Sequence, residues 1–93
     1  SRRLAVLCLT RWDHDRDMIQ FHIDRIIHGS AATAQDRQLA VMLVLGVLRQ
    51  MEFLDVIIAR FSRHPLNKMK PLTLMTLRVG VYQLFFLDRI PVS

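Results

Sequence analysis

Apolar positions crowd into one stretch above all others. Residues 72–87 read LTLMTLRVGVYQLFFL, with Thr73, Thr76, Arg78, Tyr82 and Gln83 as the only polar side chains. Such a segment turns apolar residues in nearly every direction and predicts a helix packed on most sides, the central helix of a small bundle. It is not read as a membrane span, because it is shorter than roughly 20 residues and carries Arg78 midway. Pro71 suits the first helical position, where no backbone donor is needed. Pro91 is expected to end the helix within residues 88–91, since the residue before a proline is pushed out of helical geometry.

The rest of the chain reads as helices leaning on that one. Residues 2–14 place Leu4, Ala5, Leu7, Cys8, Leu9 and Trp12 on one broad face. Arg2 and Arg3 stand at its start, the positive end of the helix dipole. Either this is a solvated entry point, or the arginines and free amides converge on a phosphate. Asp15 or Asp17 is expected to cap a second helix over residues 18–28. Ile19, His22, Ile23, Ile26 and Ile27 share its inner face, and Gly29 follows as a left-handed closing residue. His22, set among isoleucines, is read as a hydrogen-bonded core histidine rather than a ligand.

Thr33 and Asp36 form a capping box with Asp in place of Glu. They open a long helix over residues 34–62, striped by Leu39, Leu43, Val47, Leu54, Ile57, Ile58 and Phe61. Residues 39–48 are nearly all apolar and should be wrapped by neighbours. Gln50 falls on the stripe, and a split or kink is expected there. Gly46 and Gly80 lie inside the most buried helices, at a cost of about 1 kcal/mol each relative to Ala. That cost predicts close helix crossings at both. Arg49 and Arg78, in the same helices, are assigned to structure, each pairing with an acid or a carbonyl. Residues 64–70, HPLNKMK, form a connector with room for one short helical turn. Lys68 and Lys70 stand exposed on it beside the central helix, as a solvated loop or a second anion site.

Composition narrows the reading. Ninety-three residues make one domain, and 52% hydrophobic residues supply a core with enough excess to leave a patch that needs a partner. The net charge is +5, and eleven of the thirteen basic residues are Arg, which forks onto phosphate better than Lys. With a pI near 10.7, nucleic acid becomes a candidate partner. One cysteine, Cys8, excludes an internal disulfide and fits a reducing compartment. No signal-peptide pattern appears, so a cytoplasmic location is expected. The four histidines and Cys8 lack metal-ligand spacing. Glycine-rich phosphate loops and nucleophile motifs are also missing. The expectation is therefore no catalytic residue, no metal and no cofactor.

Two motifs carry a family likeness. One is Gly46-Val47-Leu48-Arg49 followed by Leu54-Asp55. The other is Leu77-Arg78-Val79-Gly80-Val81-Tyr82-Gln83-Leu84, running into Phe86-Leu87-Asp88-Arg89-Ile90-Pro91. With Asp36-Arg37 and the opening Arg2-Arg3 and Ala5, they resemble the NusB-like domain across the whole chain. The resemblance is nearest to the N-terminal domain of bacterial ribosomal RNA cytosine-5 methyltransferases of the RsmB or Sun type. It implies an all-α NusB-like bundle of about five helices that binds RNA through its basic first helix and neighbouring basic loops. In the methyltransferases this domain precedes a catalytic domain that uses S-adenosylmethionine. The catalytic cysteines of that domain lie outside the present sequence, and Cys8 is not one of them. Two features depart from the family: only two arginines open the chain, and residues 90–93 stand where further helices would begin. The resemblance thus implies a C-terminally truncated domain, residues 1–93 of a longer protein. Its part-uncovered central helix is expected to drive the isolated piece into a homo-oligomer.

The leading expectation is a non-catalytic RNA-binding module of a ribosomal RNA methyltransferase. Arg2, Arg3 and Arg11 on the first helix, with Lys68 and Lys70 on the connector, would contact phosphates and leave base choice to other groups. The alternatives are an antitermination factor of the NusB type, a protein-interaction module, or a bundle that packs on its own catalytic domain and orients it.

Overall fold

A computed structural model describes residues 1–87. Five α-helices appear in chain order: α1 (Arg2–His14), α2 (Ile19–His22), α3 (Ala34–Arg49), α4 (Met51–Phe61) and α5 (Pro71–Tyr82). Two of them wind on into wider π-helical turns, α2 through Ile23–His28 and α5 through Gln83–Leu87. A single 3-10 turn, Leu66–Lys68, occupies the connector before α5. There is no strand among the described residues. The expected helical stop at residues 88–91 lies outside them.

Helix α5 is the hub. It packs on α1, α3 and α4, and Met75, Val79 and Tyr82 face inward. They meet Ala5, Cys8 and Leu9 of α1, Ala40, Leu43, Val44 and Val47 of α3, and Leu54 of α4 in one core. Pro71 takes the first turn of α5 as expected. Burial on most sides is not achieved: Leu72, Leu77, Leu84 and Phe85 on and after α5 remain exposed. Three neighbours cover three sides of a helix and leave the fourth to water. Helix α3 shows the same geometry, with Met42 and Leu45 exposed where wrapping was expected.

The long third helix divides at Gln50, whose φ of −105° and ψ of 16° leave the helical region. Gln50 still donates to the Gly46 carbonyl, and Leu54 to that of Gln50, so the chain bends without losing the ladder on either side. Thr33 caps α3 as predicted, its hydroxyl accepting from the Asp36 amide at 3.1 Å. Neither Asp15 nor Asp17 caps α2; Met18 holds that position without a side-chain cap. Instead the Asp15 carbonyl accepts from His22 at 2.9 Å. Gly29 is right-handed, with φ −80° and ψ −4°. A Cβ there would crowd the Arg25 carbonyl at 2.5 Å, so the glycine answers a close backbone approach rather than a left-handed turn.

The two helical glycines part company. Gly46 lies under the Tyr82 ring, the close crossing expected of it. Gly80 faces open space, with nothing within 4 Å of a Cβ, so no crossing explains it. The structural arginines also differ. Arg78 grips Asp55 with Nε and Nη2, both at 2.8 Å, and ties α5 to α4. Arg49 is exposed and its side chain makes no hydrogen bond or ion pair among the described residues, so its pairing is not found there.

Candidate nucleic-acid interface

Helices α1 and α5 run antiparallel. The guanidinium of Arg2, at the start of α1, donates to Gln83 beyond the end of α5. At the other end, Thr10 and Arg11 meet Lys70, Pro71 and Leu72 across a groove of about 940 Å³. The π-helical continuation of α2 closes the remaining side with Arg25 and Ile26.

The helical repeat of 3.6 residues decides which side chains of α1 face this groove. Arg3, Leu7, Thr10, Arg11 and His14 follow one another at helical spacing along one side, and all but Arg3 line the groove. Leu7 was expected in the core but is 45% exposed and forms part of the groove wall. Arg2 lies off that line and contacts Gln83 instead. Consecutive residues leave a helix about 100° apart, so Arg2 and Arg3 start from different sides of α1.

Of the residues singled out from sequence, the structure brings Arg11 and Lys70 together on the groove. Arg3 extends their line along α1. Lys68 is exposed on the same connector but does not line the groove. Arg25 was missed. Its only advance signal was its place four residues after Phe21 on the outer face of the second helix. The side chains of Arg11, Arg25 and Lys70 make no hydrogen bond or ion pair among the described residues. Other cations are committed: Arg16 binds Asp13 at 2.6 Å and stacks over Trp12, and Arg78 binds Asp55. Asp15 is the one acid lining the groove. Three free cations beside an apolar wall of Leu7, Phe21, Ile26 and Leu72 attract a polyanion and offer it surface on which to rest.

The wall also carries unmet polarity. Thr10 Oγ1 and His22 Nδ1 are the two buried side-chain polar atoms without a partner among the described residues, and both belong to groove-lining residues. His22 is otherwise the core histidine expected of it, 1% exposed. Because a carbonyl can only accept, the Asp15 contact fixes the proton on Nε2 and leaves the Nδ1 lone pair unused in the neutral ring. Asp15, Asp17 and His22 bring one ligand atom each within 4.8 Å, a grouping that sequence spacing did not announce. With its Nε2 proton spent on Asp15, His22 contributes no free ligand through that nitrogen. Cys8 lies at 0% exposure, and burial pushes its thiol up to about 11.

The comparisons with known proteins agree with this architecture. The model of the NusB family matches residues 1–93, and the chain belongs to that family. It is 31% identical over its full length to a probable ribosomal RNA small subunit methyltransferase B of Synechocystis sp. (strain ATCC 27184 / PCC 6803 / Kazusa), of which it covers 21%. It is 28% identical, over 97% of its length, to the protein of the same description in Bacillus subtilis (strain 168), of which it covers 20%. The chain thus spans about a fifth of the length of these relatives. No solved structure matches it. None of the described helices is long and apolar enough to cross a membrane.

Proposed function

We propose that this chain is an RNA-binding domain that helps a ribosomal RNA (cytosine-5) methyltransferase engage its substrate. The observation that carries the reading is the convergence of Arg11, Arg25 and Lys70, free of acid partners among the described residues, on one groove. Arg3 and Lys68 extend the basic edge. Arg2, held by Gln83, is a secondary contact. These groups bind phosphates and set the register of the RNA, while the methyl transfer itself belongs to a separate domain. The names of the relatives support ribosomal RNA as the ligand. The test is a binding titration with small-subunit ribosomal RNA fragments at rising salt. Affinity should fall linearly on a log–log plot, by about 0.7 per phosphate neutralised on a single strand. Binding that is absent, or indifferent to salt, removes this reading.

A second reading, a protein-interaction surface, is favoured by a set of residues outside the groove. Phe53, Val56, Phe61, Leu77, Leu84 and Phe85 are exposed along α4 and α5. The Phe53 ring stands edge-on to those of Phe85 and Phe86, at 5.7 and 5.8 Å between centroids. On that reading a partner, such as the enzyme's own catalytic domain, covers the aromatic face. Replacing Arg11 and Lys70 by Ala then leaves partner binding intact.

A further inference from the structure

Resting on the RNA reading, we infer that the groove between α1, α2 and the start of α5 receives an unstacked base, so that the domain selects RNA with an extrahelical or unpaired nucleotide. Three observations converge on it. The first is shape: about 940 Å³ walled by Leu7, Phe21, Ile26 and Leu72 is the size and character of a pocket for a small flat ligand. A bare phosphate strand needs no such wall. Phe21 lines the groove and is 49% exposed, so part of its aromatic surface is open to a ligand there.

The second observation is polar. A buried polar atom without a partner is uncommon in a folded protein and calls for an explanation. Here both such atoms among the described residues, Thr10 Oγ1 and His22 Nδ1, lie buried on residues that line this one groove. His22 is 1% exposed, so solvent does not supply the partner that Nδ1 lacks. A nucleobase joins an apolar face to an edge of donors and acceptors, which suits a wall of this composition. The third observation is charge. Arg11, Arg25 and Lys70 rim the same groove, where they meet the phosphates on either side of a splayed nucleotide. Unstacked bases of loops and bulges are the part of RNA that proteins read most readily.

The experiment compares two stem-loop RNAs that differ at one position. In one a single nucleotide is extrahelical; in the other it is paired. The 93-residue chain should bind the first more tightly by about fivefold or more, the low end of what stacking one base contributes. Phe21→Ala should bring that ratio back towards one. As a readout that needs no variant, 5-iodouridine at the extrahelical position should crosslink to Phe21 on irradiation. Equal, salt-dependent affinity for the two RNAs overturns the base-binding inference and leaves the phosphate reading standing. A preference that survives Phe21→Ala, or a crosslink mapping outside the groove, overturns it as well. Salt-dependent binding to neither RNA removes both.

Discussion

The phenol ring of Tyr82 fills the space that Gly46 leaves by having no side chain. A Cβ on Gly46 would sit 2.6 Å from Cε1 of that ring and closer still to its Cζ and Oη. Tyr82 is 8% exposed and belongs to the core that joins α3 to α5, so the ring has little room to withdraw. Gly46→Ala should therefore destabilise the fold by about 1–3 kcal/mol, as overpacking a core does. Gly80→Ala should do the reverse and stabilise it by up to about 1 kcal/mol, because nothing opposes the new methyl and helix propensity improves. Urea denaturation reads both as shifts of midpoint in opposite directions. A loss of stability in both variants would show that Gly80 has a packing role the structure does not contain.

Arg78 and Asp55 join the hub helix to α4 by two parallel hydrogen bonds of 2.8 Å. The Arg78 side chain is 10% exposed and that of Asp55 33%. Solvent at the Asp55 end moderates the loss, and Arg78→Met is expected to cost about 2 kcal/mol, below the range for a fully buried pair. Arg78→Lys keeps the charge but not the two-pronged geometry, and should recover only part of that loss. Equal stability of Arg78→Lys and the native chain would contradict the bidentate account.

Burial holds the Cys8 thiol at about 11, against an ordinary value of 9.0. The folded state therefore keeps the proton after the unfolded chain has released it. Stability from this group is fully present below pH about 9 and is lost progressively as pH rises towards 11. Replacing Cys8 with Ala should remove that part of the alkaline slope in a stability–pH profile. Modification of the native thiol by a disulfide reagent at neutral pH should be slow and limited by opening of the fold. Fast modification under native conditions would contradict its burial.

Much of this architecture is legible in the chain. The helical spans, the Thr33 cap and the break at Gln50 follow from periodicity and local hydrogen-bond chemistry, which neighbouring residues determine. Gly46 was legible as a crossing because a glycine in an apolar helix needs a reason. Gly80 offered the same signal without the crossing, since spacing says nothing of which side meets a neighbour. For the same reason Leu7 and Phe61 read as core yet lie exposed. The site was half legible. Arg11 and Lys70 were singled out from their charge and position, but their meeting depends on the antiparallel docking of α1 and α5. Arg25 and the unpaired atoms of Thr10 and His22 join them only in three dimensions.

The most direct test of the account compares two charge-matched variants on the same ribosomal RNA fragment. One carries Arg11→Ala with Lys70→Ala, on the groove. The other carries Arg60→Ala with Arg63→Ala, exposed residues outside it. Each removes two positive charges, so a diffuse electrostatic attraction weakens equally in both. If the groove is the RNA face, the first pair should flatten the log–log salt dependence by about 1.4, two phosphates at about 0.7 each on a single strand. The second pair should leave the slope nearly unchanged. Equal slopes in the two variants would contradict the account.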